Sequence, residues 1–365
     1  MKIVHLSVCR QFSRGQLNQL RYEYNAAKLL GDVEWTTLGY HVGASTDPFI
    51  KSIPFPFKFL FLRNLYGWLV ALRLSKSYDR VLMRHMTFDP FAFIFAPLIS
   101  NRVSVHHAKE IEELKIIKRE WRGKFASFIE CYCGKVAVRN TQTILGVTKE
   151  IAEYERELHC PSKNTGVYPN GIEVNAHKLL PDLRISNEVH AAFICGTFSS
   201  WHGLDRLIQA IEKKSTERDG FPVYIHLIGN LSKEQINEIG ANQRLREIFL
   251  VYGVMSPDDY RLILEKCDYG IGSLAMDRQN LTEGSTLKVR EMLALGLPVY
   301  SGHSDVALPS DAPWVKIVNQ VNLSDLREFG LSVKNIQRTT VREQSRRMIE
   351  KLEIMKKTVQ TLKNY

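Results

Sequence analysis

The chain has 365 residues, more than the roughly 250–300 at which a single core stops growing, so two domains or one large α/β domain are expected. With 44% hydrophobic and 24% charged residues it reads as globular, which excludes the disordered classes. A net charge of +10 favours an acidic ligand, a nucleic acid or an anionic membrane surface without separating them.

Residues 1–8, MKIVHLSV, are too short an apolar run for a signal peptide and lack a cleavage site, so they predict a first β-strand. A loop containing Gly15 and a helix ending near Gly31 follow, and strand, loop and helix in that order open a Rossmann-like half. Residues 51–76 are the most apolar and aromatic part of the chain, but Arg63 and Asn64 interrupt the run, which argues against a membrane span. A buried helix is the first expectation there. The second is an amphipathic surface meeting lipid headgroups through Lys51, Lys58, Arg63, Phe57, Phe59, Phe61 and Trp68, and the two are compatible if only the tip from Pro54 to Phe61 is exposed.

Two more strand–loop–helix units follow; the first carries Arg84 after its strand, the second His106 and His107. A short strand at 143–147, a helix capped by Thr148 and a turn at Pro169-Asn170-Gly171 complete this half. Residues 180–188 read as a linker, which divides the chain into an N-terminal domain at 1–180 and a second domain at 188–345. Residues 346–365 are expected as a helix returning to the first domain, and the basic residues of the tail, Arg342, Arg346, Arg347, Lys351, Lys356, Lys357 and Lys363, as a solvated face. The second half repeats the alternation. Gly196-Thr197-Phe198 and Tyr252-Gly253-Val254 fall at carboxyl ends of strands, where open α/β sheets bind ligands.

The stretch TEGSTLKVREMLALGLPVY, residues 282–300, carries the most chemistry. Gly284-Ser285-Thr286 is a small polar turn into a helix that starts near Ser285 or Thr286 and is closed by Gly296 and Pro298. Free N–H groups at such a start and the positive end of the macrodipole make a seat for a diphosphate, and Lys288 adds a full charge. One turn on, Glu291 can accept from two vicinal hydroxyls, as a ribose presents them. The bland alternative is a surface helix with a Lys288–Glu291 ion pair worth a few tenths of a kcal/mol. Cys9, Cys131, Cys133, Cys160, Cys195 and Cys267 are scattered, with no histidine cluster at metal spacing; they read as reduced thiols of a cytosolic protein, and no metal is expected.

The spacing Glu283-x7-Glu291 followed by Ala-Leu-Gly-Leu-Pro-Val resembles the signature of retaining GT-B glycosyltransferases of family four, and the run His-His-Ala-Lys-Glu from His106 resembles another of their segments. The resemblance implies two Rossmann-like domains facing a central cleft. It implies catalytic roles for His107, Glu283 and Lys288, with His107 and Glu283 on the transferred sugar, and His106 as the neighbouring alternative to His107. Donor contacts would come from Gly196, Thr197, His202, Tyr252, Val254, Ser285, Thr286, Leu287 and Glu291, the last on the ribose. Gly15, Arg84 and His106 would lie on the acceptor side. The Arg and Lys with which many relatives grip the diphosphate are missing after Gly196, and His202 stands in the Lys position; a subset of bacterial relatives shows the same loss together with a Lys inside the Glu-x7-Glu segment, so the resemblance assigns the phosphate charge chiefly to Lys288.

The activity so implied is metal-independent, cofactor-free transfer from a nucleotide diphosphate sugar to a glycan or polyprenyl-diphosphate-linked acceptor. It would take place in the cytoplasm, with the inner face of the cell membrane as a candidate contact and no nucleic acid partner. A nucleotide-sugar 2-epimerase on the same fold, or a non-catalytic basic binding protein, are the rivals.

Overall fold

A computed structural model describes residues 1–117, 121–213 and 221–364. Two compact units emerge: residues 1–173 with 350–365, and residues 174–349.

In the first unit seven parallel strands, β1 (Lys2–Val8), β2 (Glu34–His41), β3 (Ile50–Ser52), β4 (Arg80–Arg84), β5 (Arg102–His106), β6 (Thr143–Gly146) and β7 (Thr165–Val167), line up as β3-β2-β1-β4-β5-β6-β7. Parallel strands are joined by crossovers that cover both faces, so central strands are apolar almost without interruption; Ile3, Val4 and Leu6 of β1 are fully buried. The crossovers are α1 (Arg14–Ala27), α2 (Leu60–Leu74), α3 (Ala92–Phe95), α4 (Glu110–Ile117), α5 (Trp121–Arg139) and α6 (Lys149–His159).

Two local expectations are corrected here. Ser13 and Gln16 form a capping box that starts α1 at Arg14, so Gly15 sits in the first helical turn instead of a loop, and the helix stops at Ala27, short of Gly31. In α2, Trp68 is 2% exposed, stacks on Phe95 and donates to Asp89, so it is a core residue and no lipid contact. The tip before α2 is open, with Phe55, Phe59 and Phe61 exposed. Among the described residues no helix is long and apolar enough to cross a membrane.

The second unit has six parallel strands, β8 (Val189–Thr197), β9 (Val223–Asn230), β10 (Phe249–Gly253), β11 (Tyr269–Ile271), β12 (Val299–Ser301) and β13 (Val315–Ile317), in the order β10-β9-β8-β11-β12-β13. Its helices are α7 (Leu204–Lys213), α8 (Lys233–Ala241), α9 (Gln243–Ile248), α10 (Pro257–Leu264), α11 (Leu287–Ala294), α12 (Leu323–Val333) and α13 (Arg338–Ile349). Residues 180–188, read as a linker, belong to this unit: Leu180 is buried, its N–H donates to the Leu295 carbonyl, and Arg184 donates to the carbonyls of Val333 and Ile336.

The chain then re-enters the first unit as α14 (Lys351–Lys363), whose Ile354, Met355, Val359 and Leu362 join the core beneath β1 and β5. Lys351 is 4% exposed, against the solvated position expected for it, and its Nζ lies 3.6 Å from Glu23 Oε2. Glu23 is buried and accepts from Trp35 Nε1, Thr37 Oγ1 and Tyr168 OH as well as pairing with His5. Burial pushes its carboxyl up, but His5, Lys351 and Tyr168 outweigh that and hold it well below the usual range.

Candidate functional site

Both sheets reverse direction once. In the second unit the chain steps outward from β8 to β9 to β10, then returns to place β11 on the other side of β8. Loops leaving β8 and β11 therefore diverge, and such a switch point is where an open parallel sheet holds a ligand. Gly196 and Thr197 end β8 and are exposed, with open space around the position a Gly196 side chain would take. The two loops meet where the Leu274 N–H donates to the His202 carbonyl at 2.9 Å.

The turn 284–286 leads into α11 in this region. Thr286 is its N-cap, with extended backbone and no side-chain capping bond, and Thr286 Oγ1 is buried without a partner. The amides of Leu287, Lys288 and Val289 precede the first intrahelical bond, from Arg290 N–H to the Thr286 carbonyl. At the other end Gly296, with φ +85°, gives its N–H to Leu293 while Leu297 N–H reaches Met292, a Schellman closure. Glu283 pairs with Ser304 through a backbone bridge, and the Gly284 N–H donates to the Ser304 carbonyl at 2.7 Å. A Cβ at Gly284 would come within 2.8 Å of His303 Nε2, so glycine lets the imidazole lie flat on the turn.

Lys288 points back across α11 to β8. Its Nζ is 3.5 Å from Cys195 Sγ and 5.2 Å over the Phe193 ring. Among the described residues it forms no ion pair, so the surface pair with Glu291 considered above is not what the side chain does. Burial lowers its pKa, opposed by Cys195. Two histidines feel the ammonium. His202, whose Nδ1 accepts from the Ser199 N–H, is brought down to about 3 by burial and then by Lys288. His303 donates Nδ1–H to the Ser273 carbonyl; burial lowers it to about 4, with Lys288 adding to the fall and the Ser273 bond resisting it.

A neutral histidine in the folded unit that protonates when unfolded gives a penalty absent above about pH 6.5 and complete only at the folded value. The urea midpoint of the protein should therefore drop as pH falls from 7 to 4.5, and His303→Asn should make that drop shallower. An unchanged pH profile in the variant would show that His303 does not titrate this way.

Residues missed in the sequence hold the turn in place. Arg290, fully buried on the inner side of α11, pairs with Asp305 at 2.7 Å and donates to Ser285 Oγ at 2.9 Å and to the Met348 carbonyl at 3.1 Å. The Ser285 side chain thus acts as a strut under the turn. A pocket of about 740 Å³ opens beside Thr282, His303 and Ser304, lined also by Arg206 and Lys213; neither Lys288 nor Glu291 lines it. Leu287 and Glu291 are half-buried. Tyr252, near the end of the edge strand β10, and Val254, just after it, are exposed, but the Tyr252 hydroxyl is 2.9 Å from His226 Nδ1.

In the first unit the switch point lies between β1 and β4, and a pocket of about 380 Å³ sits there. Val8 at the end of β1, Cys9 and Arg10 after it, Arg84 at the end of β4, and His107, Glu110 and Glu113 after β5 line it. Strand alternation separates the two neighbouring histidines. His107 faces the pocket, and its pKa is held well below 6.5 by burial and then by Arg84, His5 and Lys351. His106 is fully buried and hydrogen-bonded to Ser104 Oγ, which removes it from the acceptor side. Gly15 does not line this pocket, whereas Gln16 does.

No family model matches the chain, and no curated protein matches it by sequence. The likeness is three-dimensional. Anabaena Alr3699/HepE in complex with UDP and glucose aligns over 100% of both chains at 15% identity with a TM-score of 0.63. The lipopolysaccharide outer core galactosyltransferase WaaB, apo form, aligns over 99% of both at 11% identity and 0.61. The fold is that of the GT-B glycosyltransferases. A sucrose-phosphate synthase from Thermosynechococcus elongatus shares it at 12% identity, over 100% of this chain and 99% of that one, with a TM-score of 0.64. The two GT-B sheets, of seven and six strands, are the two Rossmann-like halves expected from the alternation.

Proposed function

We propose that the protein is a retaining glycosyltransferase that moves a sugar from a nucleotide diphosphate sugar to a hydroxyl of a glycan or polyprenyl-diphosphate-linked acceptor. The observation that carries this reading is the start of α11: three leading amides, no side-chain cap, and in the same turn Lys288, whose ammonium lies against Cys195 with no carboxylate partner. That combination suits a diphosphate, and a structural neighbour is described in complex with UDP-glucose. The anomeric C–O bond to the β-phosphate breaks, the acceptor oxygen bonds the same carbon from the same face, and the acceptor proton passes to the departing phosphate. Lys288 and the helix start stabilise the charge that grows on that phosphate, so the transfer itself needs no metal ion or cofactor. Glu291 holds the ribose, Glu283 the sugar, and neutral His107 serves the transfer step without binding nucleotide.

A peripheral membrane position fits a lipid-linked acceptor. Exposed Phe55, Phe59, Phe61, Trp121, Phe125 and Phe128 lie on the first unit, with Phe88 bridging Phe61 and Phe125 at 6.1 and 6.4 Å, and Lys51 and Lys58 beside the tip. All six cysteines are free thiols, in keeping with a reducing compartment such as the cytoplasm.

The test is a thermal-shift panel of UDP-, GDP- and ADP-sugars followed by NMR of products made with and without acceptor. A stabilising donor and a new α-linkage from an α-sugar are expected, together with sedimentation on anionic vesicles. Turnover of donor alone to a C2 epimer would replace this reading with an epimerase. Stabilisation by no nucleotide sugar would reject both enzymes, and failure to sediment would reject the membrane position.

A further inference from the structure

The sequence offers no metal spacing, yet the first unit gathers His85, just after β4, with His106, His159, Glu110, Glu130 and Glu155 from β5, α4, α5 and α6 into its interior, with no side chain more than 8% exposed. Two contacts in this cluster are ordinary. His85 Nε2 meets Glu130 Oε1 at 2.7 Å, and His159 Nε2 meets Glu155 Oε2 at 3.3 Å. His106 is different. Its Nε2 is 2.7 Å from Ser104 Oγ, which leaves Nδ1 facing Glu110 Oε1 at 3.1 Å and Glu155 Oε2 at 3.9 Å without hydrogen-bond geometry to either. Glu110 Oε2 and Glu155 Oε1 are likewise buried without partners.

His106, Glu110 and Glu155 each offer a ligand atom within 4.8 Å of the others, and each also carries a buried polar atom without a partner, which is costly unless something positive lies between the groups. We propose that His106 Nδ1, Glu110 and Glu155 form a site for one divalent cation of the zinc or manganese class. A nitrogen and two carboxylates are a normal donor set for these ions, and two carboxylates neutralise the charge. Ligand atoms about 2.1 Å from a shared ion stand about 3.0–3.4 Å apart; Glu110 Oε1, 3.1 Å from His106 Nδ1, already fits, and Glu155 Oε2, at 3.9 Å, has to close in by roughly 0.5–0.9 Å. The Ser104 hydroxyl can accept from Nε2–H, and in that tautomer Nδ1 is free to ligate. Glu110 also lines the 380 Å³ pocket, which gives an ion a way in. Such an ion would clasp the end of β5 to the first turn of α4 and the second half of α6. It is separate from the α11 site, where the transfer needs no metal.

The full-length protein, stripped with EDTA and then incubated with Zn²⁺ or Mn²⁺ and desalted, should retain about one equivalent per chain and melt at higher temperature than the stripped form. Glu110→Gln and Glu155→Gln, which keep shape and hydrogen-bonding capacity, should each lose the retained metal. Because a variant could fail to fold, the wild type is also loaded with Mn²⁺ and its electron spin echo modulation recorded; coupling to a single imidazole nitrogen is expected. Retention below about a tenth of an equivalent, equal retention by folded Gln variants, or no imidazole coupling would each overturn the proposal.

Discussion

Lys288→Ala lowers kcat/KM for the nucleotide diphosphate sugar about 100- to 1,000-fold, the loss expected when one preorganised donor is taken from a developing oxyanion. The size follows from the surroundings. Lys288 is half-buried, contacts a thiol and an aromatic face, and has no carboxylate to screen it, so its field acts on whatever anion occupies the α11 start. Because the diphosphate is charged before and after bond cleavage, part of the loss should appear as weaker binding of the nucleoside diphosphate and part in kcat. Glu291→Ala should weaken binding with a smaller change in kcat, since a ribose contact is the same in ground and transition states. Isothermal titration with the nucleoside diphosphate separates the two, and wild-type affinity in both variants would refute the site.

Asp305→Ala costs about 3–5 kcal/mol, because it leaves the Arg290 guanidinium buried and unpaired. Arg290 is fully enclosed and ties α11 to Ser285, to the 303–305 loop and to the end of α13, so the charge has no route to water. Replacing both partners, Arg290→Met with Asp305→Leu, should recover most of that stability while leaving the turn slack. Urea denaturation of the three proteins checks the first part; a raised dissociation constant for nucleoside diphosphate in the stable double variant checks the second. A single variant as stable as the wild type would mean that the pair is not the clamp described.

Alternation of apolar runs with helical stretches was enough to read two Rossmann-like halves, because parallel central strands must be apolar on both faces and their crossovers amphipathic. The α11 turn was legible for a similar reason: small residues before it and Gly296 with Pro298 after it act through the local backbone. What escaped depends on partners distant in sequence. Arg290 looks like any helix cation until Asp305 closes on it, and His303 becomes part of the site only because Gly284 lets it in. Trp68 was grouped with the aromatic tip because composition does not show which way a helix faces; Asp89 and Phe95 settle that. His106, Glu110 and Glu155 meet only once β5, α4 and α6 have packed, so a search for spaced ligands passes over them.

The return of α14 to the first unit sets an order of events during synthesis. When residue 173 leaves the ribosome, the sheet of that unit is complete, but the wall supplied by Ile354, Met355, Val359 and Leu362 does not yet exist, and Glu23 lacks the cation from Lys351. The intervening unit holds all of its own strands and can consolidate first, leaving the earlier half to wait open-sided until translation has passed it. Nascent chains halted just before residue 350 should therefore present a protease-sensitive first unit behind a resistant second one.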